Sequence, residues 1–196
     1  MTNDPRHDLA AIRAAIDDGR RFAAGSGGFM AIWGGAIALA DFATYVAVRG
    51  WLDVDPNIIW TAAVPLAWVA TLLLAWREQR VRAVSSRAGR TLAMTWLACG
   101  IALSVLYACT RMTGHFEPAW FLAAVAGVMG IGFFVSAELC AYRWMRAVAA
   151  AWWLGEVALF IWGTDAWILV LSGAMMLLML ALPGVVLLRE TTPSAA

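Results

Sequence analysis

The chain has 196 residues, of which 63% are hydrophobic and 14% charged, with a formal net charge of +1 and a mean hydropathy of +0.75. A soluble domain of this length has about a quarter of its residues charged and too little interior to bury so much apolar surface. The composition therefore excludes an ordinary soluble fold and indicates an integral membrane protein. Every basic residue is arginine, which also excludes chemistry through a lysine Schiff base.

Residues 1–24 form a polar segment ahead of the first apolar run. Asp4 and Pro5 are typical of a helix start. Apolar and oppositely charged side chains then recur at helical spacing, at Leu9, Ile12, Arg13, Ile16 and Asp17. The pattern predicts a short amphipathic cytoplasmic helix that ends near Phe22. The glycines at positions 25, 27 and 28 would break the helix there. Such a helix either lies on the membrane surface or docks a cytoplasmic partner.

Six apolar runs follow, at 28–48, 58–76, 91–110, 119–139, 148–163 and 166–188. At a rise of about 1.5 Å per residue, all but the fifth reach across a hydrocarbon core of roughly 30 Å. We predict an all-α polytopic membrane bundle of six transmembrane helices over residues 25–190, with a short cytoplasmic tail at 191–196. The short link after the fifth run predicts a close hairpin of helices five and six. Similar Gly- and Ala-rich patterns in helices one, three and five also allow three related helical hairpins.

The arginines are distributed unevenly between the two ends of the spans. If the N-terminus is inside, twelve arginines lie on the cytoplasmic side and only Arg49 and Arg111 lie outside. This positive-inside bias predicts a multi-pass protein of the bacterial inner (plasma) membrane with both termini cytoplasmic. We interpret the Arg-rich loop at 77–90 as resting on anionic headgroups of the bilayer, with no nucleic-acid partner.

Asp41 and Glu138 are carboxylates inside, or at the edge of, apolar runs. A carboxylate in hydrocarbon is costly unless it faces a polar interior, is protonated or reaches the edge of the membrane. Asp41 lies towards the outer end of helix one, with Tyr45 one turn away. Glu138 lies at the inner end of helix four, where it reaches headgroups or Arg143. Asp41, Tyr45 and Glu138 are candidates for a ligand- or proton-responsive site, although Glu138 has the simpler structural explanation.

Glu156 lies near the middle of helix five, beside two tryptophans. Trp152 and Trp153 allow an aromatic pocket in which the carboxylate would hold a cation. Glu156 and Asp41 together are either a proton- or cation-responsive pair, or neutral and hydrogen-bonded carboxyls that only join helices. The residues themselves leave both interpretations open.

The chain contains few side chains suited to catalysis or metal binding. His7 and His115 lie on opposite sides of the predicted membrane, so a bis-histidine haem, a HExxH zinc site and a Ser–His dyad all lack their parts. Phosphate-binding and dinucleotide-binding glycine motifs are also absent. We therefore predict no catalytic residue, no metal, no cofactor and no enzymatic activity.

The opening of the chain reads Leu9-x-x-Ile12-Arg13, then Arg20-Arg21-Phe22, and leads into a Gly-rich first helix. It resembles uncharacterised small bacterial multi-span inner-membrane proteins with a short amphipathic cytoplasmic N-terminal helix. This resemblance implies that the protein accompanies a cytoplasmic regulator. The leading hypothesis is a non-enzymatic sensor, regulatory or accessory subunit that acts through helix packing and a cytoplasmic protein partner, or as a homo-oligomer. The alternative is a small transporter, or a substrate-binding subunit similar to the vitamin-binding subunits of energy-coupling transporters.

Overall fold

The computed structural model describes residues 5–79, 87–115, 117–163 and 165–191. The secondary structure of these ranges is helical, and the elements are α1 (Pro5–Val48), α2 (Pro56–Gln79), α3 (Arg87–Met112), α4 (Pro118–Cys140), α5 (Arg143–Ile161), α6 (Trp167–Met176), a π-helix (Leu177–Ala181) and α7 (Leu182–Thr191). The last three follow one another without a break, and together we call them the sixth span. Residues 80–86 of the predicted 77–90 loop and residues 192–196 of the predicted tail lie outside the described residues.

Six helices within the described ranges are long and apolar enough to cross a membrane, at Ala23–Val48, Pro56–Arg77, Gly89–Thr110, Pro118–Cys140, Arg143–Ile161 and Trp167–Arg189. The prediction of an all-α bundle with six membrane-spanning helices is confirmed. The largest differences in a boundary are of five residues: the first span begins at Ala23 instead of position 28, and the fifth begins at Arg143 instead of position 148. An arginine can extend the end of a span because its long apolar stem lies along the helix while its guanidinium stays exposed.

α1 runs antiparallel to the sixth span along its whole membrane length. Gly27 lies against Gly184 near one end, and Asp41 is hydrogen-bonded to Ser172 towards the other. We call the side of the bundle that holds residues 5–22 the N-terminal side, and the opposite side the far side. α1 also packs against α2, α3 and α4, so it occupies the middle of the bundle.

Glycines bring the backbones of α1 and the sixth span into direct contact. A Cβ added to Gly27 would lie 2.5 Å from the carbonyl oxygen of Gly184, and one added to Gly34 would lie 2.5 Å from the amide nitrogen of Ala181. Helices approach this closely in membranes only where both surfaces carry small residues. The first and last spans therefore pack backbone against backbone at these glycines.

α1 is one unbroken helix of 44 residues, so the prediction that a short helix ends near Phe22 is wrong. The glycines do not release the helix, because they form contact surfaces: Gly27 faces Gly184, and Gly28 faces the side chain of Leu74. At about 1.5 Å per residue, α1 is about 66 Å long, and its 26-residue span accounts for about 39 Å. Residues 5–22 thus continue the helix for about 27 Å beyond the span.

α5 packs along α4 instead of forming the predicted close hairpin with α6. Gly127 and Gly130 of α4 leave room for Glu156 and Trp153 of α5. The link from α5 to α6 is short, but α6 then packs mainly along α1. The proposed internal repeat stays a prediction, and the three successive helix pairs pack unequally.

The sixth span is irregular where the π-helix meets Pro183. In a regular α-helix the carbonyl of Met179 would accept from the N–H of residue 183, which a proline lacks. The indole Nε1 of the buried Trp152 donates to this carbonyl at 3.3 Å. Trp152 therefore supplies the hydrogen bond that the proline cannot make, and it joins α5 to the sixth span.

Candidate functional site

Asp41 is the one carboxylate that is fully buried (0% exposed) among the described residues. The Ser172 hydroxyl donates to its Oδ2 atom at 2.8 Å. Within the described part of the chain, neither Asp41 Oδ1 nor the hydroxyl of the buried Thr44 has a hydrogen-bond partner. We call Asp41, Thr44 and Ser172 the Asp41 cluster.

The positions of these residues follow from the packing of α1 on α6. Asp41 and Thr44 are three residues apart and so share one face of α1. Gly173 places the ring of Phe42 against the backbone of α6, because a Cβ there would lie 2.8 Å from that ring. The neighbouring Ser172 is thereby held within reach of Asp41.

The Asp41 cluster is incomplete as a set of hydrogen-bonding groups. Burying an ionised carboxylate is costly unless a cation or enough donors face it. Among the arginines whose side chains the structure describes, none lies within ion-pair distance of Asp41. A proton on Oδ1, or a cation beside it, would supply what the cluster lacks, so the cluster is suited to respond to either.

An aromatic cage lies one helical turn from Asp41, at the far side of the bundle. The ring centroids of Tyr45 and Trp167 are 5.2 Å apart, and Trp51 meets Tyr45 edge-on at 6.2 Å. The guanidinium carbon of Arg49 lies 5.4 Å from the Tyr45 centroid and 5.9 Å from that of Trp167. Arg49 also approaches the Asp165 carboxylate at 3.7 Å. We call Tyr45, Trp51 and Trp167 the far-side cage.

On the N-terminal side, α1 is fastened to the end of α4. Arg20 Nε donates to the carbonyl of Cys140 at 3.1 Å, and the Cys140 thiol donates to the carbonyl of Gly19 at 3.3 Å. The Arg20 guanidinium carbon lies 5.4 Å from the centre of the Tyr142 ring. Ala141 ends α4 with a left-handed backbone, at a φ of 54°. We call Gly19, Arg20, Cys140 and Tyr142 the N-terminal clasp.

Glu156 does not share the Asp41 cluster. Its carboxylate oxygens lie against Gly127 of α4, each 3.0 Å from where a Cβ would be, so it belongs to the α4–α5 interface. The two tryptophans beside it point to different neighbours: Trp152 bonds to Met179 of the sixth span, and Trp153 donates to the carbonyl of Gly127 at 3.2 Å. The structure thus places Asp41 and Tyr45 together and places Glu156, Trp152 and Trp153 elsewhere.

The remaining predicted residues lie on the N-terminal side. Glu138 pairs with Arg146 at 2.8 Å and not with Arg143, because Arg146 lies one turn further into α5 and reaches back to the end of α4. On the extension of α1, Arg13 and Asp17 are exposed and Ile16 is partly buried. The side chains of Leu9 and Ile12 lie outside the described residues.

Sequence reasoning missed the partners of Asp41 and most of the clasp. Ser172 is a single hydroxyl within a long apolar run, and nothing local connects it to Asp41. Trp167 and Arg49 carried weak signals, since a tryptophan and an arginine at span ends are ordinary interfacial residues. Cys140 reads as a small apolar residue, and only the structure shows its thiol against Gly19.

No protein-family model matches the chain, and no curated protein and no solved structure matches it. Within the described ranges, no group of three His, Cys, Asp or Glu side chains is placed to hold a metal ion. The functional argument therefore rests on the Asp41 cluster, the far-side cage and the clasp.

Proposed function

We propose that the protein is a non-enzymatic membrane sensor or accessory subunit, in which α1 carries the state of Asp41 to a cytoplasmic partner. The single observation behind this proposal is the continuity of α1, which bears Asp41 in one half and the exposed Arg13 and Asp17 at the other end. We also propose the orientation that the arginines favour, with the N-terminal side in the cytoplasm of a bacterium and the protein in its inner membrane.

The input of this sensor is the binding of a proton or a cation to Asp41. An ionised Asp41 with an unpaired Oδ1 is costly in the bundle interior, and a neutral or cation-paired Asp41 is less so. The two states therefore favour different distances between α1 and α6, which meet at the bond between Ser172 and Asp41. A ligand or proton can shift the equilibrium between the two packing states only by the difference between its binding free energies to them.

The output is the N-terminal clasp and the extension beyond it. A helix transmits a small rotation or translation along its length, since its backbone hydrogen bonds resist bending. Any such shift at Asp41 reaches Gly19, whose backbone lies so close to Leu139 that a Cβ would be 2.8 Å from the Leu139 carbonyl oxygen. The clasp is thus placed to hold the extension in one state and to loosen in the other.

Hydrogen exchange tests the coupling directly. The amides of residues 13–22 are compared in the full-length wild type, in Asp41→Asn and in Glu156→Gln, all reconstituted in lipid. Asp41→Asn fixes the cluster in a neutral state and should change exchange in the clasp about fivefold or more, as for a coupling of ordinary size. Glu156→Gln is the matched control and should leave these amides unchanged. Equal exchange in all three proteins contradicts the relay.

The partner surface is tested by reversing charges on the extension. Arg13→Glu and Asp17→Arg alter exposed side chains, so both variants should fold and insert as the wild type does. Each should weaken the capture of a cytoplasmic protein that wild type binds, and the double variant tests whether the pair acts as a unit. A partner bound equally by all variants would exclude this surface.

The transporter alternative receives less support from the geometry. A polar cavity shared by Asp41 and Glu156 would have favoured transport, or ligand sensing by the two carboxylates together. Instead, Asp41 contacts α6 while Glu156 contacts α4. Substrate flux that is lost in both Asp41→Asn and Glu156→Gln would nevertheless favour transport over sensing.

A further inference from the structure

We propose that the far-side cage is a binding site for a small organic cation, of the guanidinium or quaternary ammonium class, which Arg49 occupies in this structure. The inference deepens the proposed function, because it names the chemical class of an input to the Asp41 region. It is carried by the geometry of the rings and by the charges around them.

The rings already form a cation site. The guanidinium carbon of Arg49 lies within 6 Å of the centroids of both Tyr45 and Trp167, the range in which a cation is attracted by a ring face. Trp51 adds a third aromatic side chain, edge-on to Tyr45. Aromatic side chains grouped in this way are how proteins recognise alkylated ammonium groups.

An acidic side chain beside the cage favours a bound cation. Asp165 lies 3.7 Å from Arg49 at the mouth of the cage, and Asp41 lies one turn deeper with an oxygen that has no partner among the described residues. Asp165 is thus the carboxylate that faces the Arg49 guanidinium among the described side chains. An incoming cation can take the place of Arg49 against the rings, with Asp165 as its counter-charge.

Arg49 can leave the cage without breaking the fold. It follows the last residue of α1, its side chain is 39% exposed, and Gly50 next to it has a φ of +74° that only glycine adopts readily. Its backbone N–H stays bonded to the carbonyl of Tyr45. Moving the guanidinium into the far-side water therefore costs one ion pair and the ring contacts, both of which a ligand replaces.

Saturation-transfer NMR with tetramethylammonium chloride tests the site on the full-length protein in detergent. Arg49→Gln empties the cage. If Arg49 fills the cage about nine-tenths of the time in the wild type, the apparent affinity for tetramethylammonium should be about tenfold higher in Arg49→Gln. Arg49→Lys keeps a competing cation and should behave like the wild type. Arg111→Gln removes the other arginine assigned to the far side and is the matched control for charge.

A second comparison uses the wild-type background, so the result does not depend on Arg49→Gln folding. Trp167→Leu should abolish the wild-type signal, whereas Trp162→Leu, at an exposed indole near the far-side end of α5, should retain it. Binding that survives Trp167→Leu, or an Arg49→Gln protein that binds no more tightly than Arg111→Gln, overturns the inference. The binding measurement does not involve the clasp, so a protein that binds no cation can still pass the hydrogen-exchange test of the relay. Likewise, a protein that fails the hydrogen-exchange test can still bind a cation in the cage.

Discussion

Replacing Trp152 by phenylalanine tests the account of the sixth span. The change removes the indole N–H that bonds to the carbonyl of Met179, next to Pro183. A buried carbonyl left without a donor costs about 1–3 kcal/mol. The smaller ring at a side chain that is 1% exposed adds roughly 1 kcal/mol of lost burial. We expect the free energy of unfolding to fall by about 2–4 kcal/mol, measured by titration with a denaturing detergent in mixed micelles.

The neighbouring residue provides the control. Trp153 is 38% exposed, and its acceptor, the carbonyl of Gly127, lies in a regular stretch of α4 where a backbone N–H is also a partner. Trp153→Phe should therefore cost less than about 1 kcal/mol. In a Pro183→Ala background, position 183 regains its N–H, so Trp152→Phe should become less costly. Equal losses for the two tryptophan variants, with no change in the alanine background, would refute the reasoning.

Three further predictions use the same unfolding assay. Gly34→Ala pushes a methyl group into the backbone of the sixth span and should cost about 1–3 kcal/mol. Gly35→Ala has nothing within 4 Å of the added Cβ and should be neutral or stabilise by less than about 1 kcal/mol; similar losses at both would contradict the close contact. Ala141→Gly should stabilise by about 0.5–1 kcal/mol, because a φ of 54° suits glycine, and a loss would argue against that backbone conformation. Glu138→Gln should cost less than about 1 kcal/mol, since its ion pair is about half exposed, and a larger loss would show that the pair is more desolvated than described.

The positions of the spans could be predicted because they depend on local composition alone. A segment of about twenty apolar residues crosses a membrane whatever its neighbours are. The helix break after Phe22 was wrong because glycine has two opposite uses. Alone, it loosens a helix; facing another small residue, it allows close packing. The partner that decides this for Gly27 is Gly184, in the last span, and the sequence near Gly27 carries no trace of it.

The candidate functional site could also be predicted only in part from the sequence. Asp41 stood out because a carboxylate inside an apolar run is costly and therefore informative. Glu156 stood out for the same reason, yet it lies in a different interface, since only tertiary packing decides which faces of two helices meet. The sequence predicted only that Arg49 lies on the outer side of the membrane. The two rings that its guanidinium contacts, Tyr45 and Trp167, lie far apart in the sequence.

The hydrogen bond between Asp41 and Ser172 joins residues 131 positions apart in the chain. During synthesis, the first span therefore enters the membrane long before the helix that shields its carboxyl group exists. Until the last span arrives, Asp41 faces lipid, the insertion machinery or a chaperone, and a chain truncated before Ser172 exposes it permanently. Shielding of Asp41 thus waits for the insertion of the sixth span, and an unshielded Asp41 marks any copy that has not reached that point.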